Sequence, residues 1–369
     1  MASNTVSAIS TAVATVAGRV IIGTTPPSIY ERLIRQDALI IDPSDELVQE
    51  YRLCATGDGQ VTIVKSKATG KRFARKVTPP RKLETPNEIH VFEVSRLRDH
   101  PHPRILSFTS LRDTDHPGGY VLWSSFCAGG DLAEQLNFWR IRRRTEIPHR
   151  FLLHIVVQTF EALAFLHYGL RYASNGKYYQ DADHKAIVHG DMKEDNIFLR
   201  WGPDNIGGMP DLVIGDFGRA LVEGRRGAKV LIGTKIYDAP EIKAIYGSAP
   251  NDAEHRYLFY QAGGAKTPAA DIYAVAVMLY MTVAKDNRPF PVDRDLSELT
   301  ISRDYEIPGL QDFIVKCLQI DPSRRATADF DEHTGVMHTV EKFRDLRDSM
   351  LQKAEALGPT DWARPQPVR

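Results

Sequence analysis

Three short motifs in fixed order constrain this chain more than anything else in it. His189-Gly190-Asp191-Met192-Lys193-Glu194-Asp195-Asn196 comes first, then Asp216-Phe217-Gly218, then Gly233-Thr234 with Ala239-Pro240-Glu241. Any one of these strings arises by chance on a surface loop, where a lone Asp is a solvated charge. Together, in this order, they ask for a scaffold that gathers several separate loops into one crevice.

The set resembles the signature of the eukaryotic protein kinases, HRDxxxxN followed by DFG and APE, with an upstream lysine and a helix glutamate. The resemblance covers roughly residues 50–335. It implies an α+β bilobal protein kinase fold, with a small β-rich lobe carrying one regulatory helix and a larger, mainly helical lobe. It also implies ATP-dependent phosphorylation of protein substrates, with ATP and Mg²⁺ as cofactors. Asp191 takes the place of the catalytic base, and Lys193 that of the lysine near the transferred phosphate, as in Ser/Thr-type members. Asn196 and Asp216 take the metal positions. Lys76 would reach the α/β-phosphates, with Glu93 as its helix partner. Val61, Ala74 and Phe198 would enclose the adenine, Phe126 and Cys127 would form the hinge with Ser124 as gatekeeper, and Asp131 would meet the ribose.

Local patterns support several of these placements. Val61, Ile63, Phe73 and Val77 are strand-type residues around the turn Lys67-Ala68-Thr69-Gly70. Ala74 and Lys76 share one face of a strand, because side chains alternate. Thr85-Pro86-Asn87-Glu88 reads as a helix start with a capping box. Ile89, Glu93 and Leu97 then recur every four residues, which stacks them on one helix face. A carboxylate on that apolar stripe is costly unless paired. Lys76 is the expected partner, and the His102-Pro103 turn follows at the kinase spacing. A strand over Tyr120–Trp123 and a loop at Gly129-Gly130-Asp131 precede an amphipathic helix marked by Leu152, Val156, Phe160, Leu163 and Leu166. Leu310, Phe313, Ile314 and Cys317 mark another helix. Asp271 and Arg325 match structural ion-pairing positions, Arg325 with Glu241.

The expected organisation is an extension over 1–46, partly disordered, a small lobe over 47–124, hinge and large lobe over 125–340, and a C-terminal helix with a loose tail over 341–369. Pro359, Pro365 and Pro367 suggest the looseness.

Several features depart from the family. Aligned on Val61, the glycine-rich loop becomes Cys54-Ala55-Thr56-Gly57-Asp58-Gly59-Gln60-Val61, which keeps Gly59 but loses two of its glycines. Close backbone approach to phosphates needs glycine there, so weaker ATP binding is expected. Gly190 replaces the usual arginine, and residues 219–232 hold no Ser, Thr or Tyr. Switching by activation-segment phosphorylation is therefore not expected. Insertions at 170–186, 200–211 and 244–266 read as tolerated loops, with partner sites as the alternative. Asp131 and Asp195 suggest a basic residue upstream of the phosphoacceptor, and Lys235 and Asp238 suggest a polar pocket after it.

Composition narrows the alternatives. Lys plus Arg equals Asp plus Glu at 47 each, so no global field favours nucleic acid. The apolar run Ile272–Ala284 is too short to cross a bilayer. Cys54, Cys127 and Cys317 form no disulfide framework, which fits a cytoplasmic or nuclear, reducing location. The first residues lack a secretory pattern, and a mitochondrial leader is the weaker alternative. A monomer is the default oligomeric expectation. The rival functional reading is a pseudokinase scaffold, which only the degraded glycine loop supports. Small-molecule kinases share a His-Gly-Asp loop but lack the Gly-Thr and Ala-Pro-Glu segment.

Overall fold

The structure, a computed structural model, describes residues 45–56, 59–78, 87–94, 102–112, 119–173, 176–181, 183–202, 205–223, 230–284, 288–292, 294–353 and 356–365. Nearly all of the N-terminal extension, Gly57-Asp58, the Thr85-Pro86 cap, Leu97 and residues 366–369 lie outside that set. So do the side chains of Cys54, Ala55 and Thr56.

The small lobe is a five-stranded antiparallel sheet with one helix. Its strands are β1 (Leu47–Thr56), β2 (Gly59–Ser66), β3 (Arg72–Thr78), β4 (Phe108–Arg112) and β5 (Tyr120–Ser125), in the order β1-β2-β3-β5-β4. Ile63 and Val64 are buried, while the turn after β2 holds the exposed residues Lys67–Gly70. Pairing of Lys76 with Val61 and Leu122 places β3 centrally, so the lysine stands inside the sheet. Helix α1 (Asn87–Val94) crosses between β3 and β4.

The large lobe begins at Asp131, whose carboxylate accepts from Glu134 N at 2.8 Å and caps α2 (Leu132–Asn137). A π-helical turn, Phe138–Arg143, follows. Next comes α3 (His149–Tyr168), buried on every side from Phe151 to His167 rather than on one stripe. By length and composition it could cross a membrane, yet the surrounding lobe encloses it. Two of its polar residues are engaged inside: Gln158 with Asp211 and Leu212 N, and His154 with Pro210 O. Short strands β6 (Leu170–Tyr172), β7 (Tyr178–Gln180), β8 (Ile187–Val188), β9 (Ile197–Arg200), β10 (Asp211–Ile214) and β11 (Leu221–Val222) carry the loops that build the site. Helices α4 (Pro240–Tyr246), α5 (Arg256–Gly264), α6 (Pro268–Val283), α7 (Leu310–Cys317) and α8 (Met337–Lys353) complete the lobe.

Two expectations change. The insertion 170–186 is a hairpin of β6 and β7 and not a loose loop. Tyr178 is fully buried and donates to Glu341 of α8 at 2.7 Å. The segment after α8 is likewise docked, not loose. Residues Pro359–Asp361 make a 3₁₀ turn and Trp362 is buried against Trp139, Phe151 and Trp201. Its two prolines flank an aromatic anchor whose apolar area outweighs the freedom of a Pro-containing tail.

Candidate active site

Between the lobes lies a cleft of about 600 Å³. Val61, Ala74, Lys76, Phe126, Cys127, Asp131, Asn196, Phe198 and Asp216 all line it. Strand pairing explains part of this convergence. Ala74 sits opposite Ser124, and Asp131 bridges Phe198, so β3, β5 and β9 present their residues to one space.

Glu93 does not join them. Lys76 Nζ instead donates to Glu88 Oε1 at 2.6 Å and lies 3.3 Å from Asp216 Oδ1, while Glu93 is exposed. The buried stripe of α1 runs through Glu88, Ile89, Val91 and Phe92, and Glu93 falls on the far side of the turn. Glu88 was legible in the sequence only as part of a capping box. The signal that could have found it is Phe92, four residues on, which buries the same face.

Burial is the main influence on Glu88, raising its pKa to about 7 against the pull of the Lys76 charge. Burial acts in the same sense on Asp216, but Lys76 and the hydrogen bond from Glu88 win and hold it well below the usual carboxylate range. Lys76 pays desolvation too, yet the two carboxylates hold its pKa above normal. The lysine therefore stays charged between the two carboxylates. If the cleft takes ATP as the resemblance implies, Glu88→Gln lowers kcat/KM for ATP about 10- to 100-fold by releasing the lysine. Glu93→Gln should leave it within about twofold, and steady-state kinetics on both variants checks the assignment.

An aromatic column links the lobes behind this triad. Phe108 and Phe92 centroids are 4.1 Å apart, Phe92 and Phe217 5.3 Å, and Phe217 and His189 4.9 Å. The column rests on Asp271 at the start of α6, which accepts from His189 N at 2.7 Å, Gly190 N at 2.9 Å and His167 Nε2 at 3.1 Å. Asp216, preceding Phe217, has φ 60°, a left-handed backbone tolerated by Asp better than by most residues.

Asp191 stands at the open side of the loop. Thr234 N donates to its Oδ1 at 2.7 Å, and Asn196 Nδ2 reaches its carbonyl at 2.8 Å and its Oδ2 at 3.3 Å. Lys193 Nζ donates to Thr234 Oγ1 at 2.8 Å and lies 3.4 Å from Asp191 Oδ2. The catalytic-loop carboxylate is thereby fixed from the activation segment and from its own loop. Below, Arg325 forks onto Glu241 at 2.7 and 2.9 Å.

Gly190 has φ +76°, and a Cβ there would come 2.4 Å from the Arg219 carbonyl oxygen. No arginine fits at this position without moving the activation segment. Lys266, from the 244–266 insertion, donates to Gly190 O and to Asp238, each at 2.7 Å. Asp238 also accepts from Tyr246 at 3.1 Å and is buried. Lys235 lies over Tyr246 and Phe259, 5.3 and 4.6 Å from the ring centroids. Gly59, kept from the glycine loop, abuts β3: a Cβ there would meet Val77 O at 2.5 Å. Strand packing alone accounts for that glycine.

Residues 52–334 match the protein kinase domain model. The chain belongs to the protein kinase family. Curated relatives agree. A serine/threonine-protein kinase of Drosophila persimilis is 27% identical over 292 residues, 74% of this chain and 32% of the relative. A serine/threonine-protein kinase of Drosophila melanogaster is 26% identical over the same length, 33% of that relative. The meiosis-specific serine/threonine-protein kinase mek1 of Schizosaccharomyces pombe is 23% identical over 236 residues, 63% of this chain and 45% of the relative. The kinase thus spans about a third of the length of the Drosophila relatives.

Proposed function

We propose that this kinase is catalytically competent and transfers the γ-phosphoryl group of ATP to Ser or Thr hydroxyls of proteins. The supporting observation is the clamp on Asp191: Thr234 N, Asn196 and Lys193 all converge on one carboxylate. A scaffold that only bound partners would have no use for a carboxylate held in this way. Phosphoryl transfer needs positioning and charge neutralisation more than covalent chemistry. Lys76 would take the α/β-phosphates. Asp216, held ionised, and the Asn196 amide oxygen are a donor set that fits Mg²⁺. When bound, Mg²⁺ supplies charge neutralisation on the phosphates. Asp191 would orient the attacking hydroxyl and accept its proton, with Lys193 beside the transferred group. Nucleotide titration with Mg·ATP tests the reading. Weaker binding than in kinases with an intact glycine loop is expected, and no binding at millimolar ATP would overturn it.

Control by activation-segment phosphorylation is absent from this proposal. Residues 219–232 offer no acceptor, and Gly190 is packed against Arg219 O. Phosphatase treatment is expected to leave the rate within about twofold, whereas a phosphate-switched kinase loses orders of magnitude. Asp131 and Asp195, both lining the cleft, favour substrates with a basic residue upstream of the acceptor.

A further inference from the structure

The segment after α8 reaches back to the cleft. Trp362 fills a pocket of three aromatic rings, with centroids 5.6 Å from Trp139, 5.2 Å from Phe151 and 5.3 Å from Trp201. The fully buried amide of Gln135 reads the backbone on both sides of it, donating to Asp361 O at 3.1 Å and accepting from Ala363 N at 2.8 Å. Trp201 Nε1 donates to Arg364 O at 3.2 Å, and Arg143 holds Thr360 O and Asp361. Such an anchor leaves the next side chain little choice of position.

That side chain is Arg364, which lines the cleft together with Gly130 and Asp131. Its Nε lies 2.8 Å from Glu134 Oε2. Gly130 has φ +78°, and a Cβ there would stand 2.4 Å from Glu134 Oε2 and 3.3 Å from Arg364 Nε. The glycine therefore makes room for the ion pair. Burial holds the pKa of Asp131 above its usual value, and the charge of Arg364 opposes that rise. The pair is partly exposed, so it adds little to folding by itself.

We propose that Arg364 is a nucleotide-binding determinant, delivered by the Trp362 anchor to the nucleoside end of the cleft beside Asp131. This rests on the nucleotide reading of the cleft. A guanidinium held there confronts the ribose side of the ligand. The segment C-terminal to the family match is thus part of the nucleotide site and not a packing accessory.

Calorimetric titration of the full chain with Mg·AMP-PNP and with adenosine tests this, on wild type, Arg364→Ala and Arg364→Lys, with melting curves alongside. Arg364→Ala should weaken both ligands about three- to tenfold, with a melting temperature near wild type and partial recovery in Arg364→Lys. In turnover, KM for ATP should rise while kcat stays within about twofold. Equal affinities in wild type and Arg364→Ala overturn the inference. So does a lowered KM for a basic peptide with ATP binding unchanged, which would make Arg364 an occupant of the substrate's basic-residue site. If wild type itself binds neither ligand, the nucleotide reading falls, and this inference with it.

Discussion

Asp191→Asn is expected to lower phosphoryl transfer to a generic basic protein by about 10²- to 10⁴-fold while leaving Mg·ATP affinity nearly unchanged. The asymmetry follows from where the side chain sits. Asp191 does not line the cleft with Lys76 and Asp216 but faces Thr234 and the open side of the catalytic loop. The amide is close to isosteric, so it still accepts from Thr234 N and preserves the loop. It cannot take a proton from an incoming hydroxyl. Radioactive phosphate incorporation and nucleotide titration on the same preparation separate the two effects. Retention of more than about a tenth of the wild-type rate would remove Asp191 from the role of base.

Loss of Glu161 is expected to be the most damaging single change to the fold outside the catalytic loop. Its carboxylate is buried in α3 between Arg344 Nη1 at 2.6 Å and Arg104 Nε at 2.9 Å. Arg344 also reaches Glu341 and Tyr178, and Arg104 reaches Asp211 at 2.6 Å. One carboxylate thus ties α8, the β6–β7 hairpin and the segment before β4 to the central helix. Removing it leaves Arg344 with Glu341 and Arg104 with Asp211 as the remaining carboxylate partners of two buried guanidinium groups, which costs on the order of 3 kcal/mol. Glu161→Ala should therefore melt on the order of 10 °C lower in calorimetry, and a shift under about 2 °C would count against the network. Acid should have a related effect. Burial would raise the Glu161 pKa, but Arg344 and then Arg104 overcome it and lower it to about 2 from 4.5. A depressed carboxyl stabilises the fold above its unfolded value, so this contribution is whole above about pH 4.5 and fades as pH falls toward 2. Glu161→Gln should flatten that part of the stability–pH curve.

Much of the site was legible because its chemistry is carried by local strings. Asp191, Lys193, Asn196 and Asp216 sit in loops whose motif spacing marked them out, and β3 alternation set Ala74 and Lys76 on one face. Glu93 misled because α1 is short, and four-residue spacing cannot tell two carboxylates five positions apart on a helix whose register is set by packing. Glu88, 6% exposed, shows its role only when β3 and α1 are seen together. Helix α3 read as amphipathic because its polar residues have partners such as Arg344 and Asp211 far away in sequence. The same distance hid Arg364. Nothing near it in the chain predicts Glu134 or Gly130, and the prolines around it suggested freedom instead of docking.

The interlock of α8, the β6–β7 hairpin and Trp362 sets the size of the smallest unit that can stand alone. A polypeptide cut after residue 334, where resemblance to the family ends, would leave Phe313 without Phe343 and Tyr178 without Glu341. It would also open the slot between Trp139 and Trp201 to water. Such a truncation would trade a closed apolar interior for a sticky one. The docked interior reaches at least Arg364, thirty residues beyond the boundary at 334 that homology alone would draw.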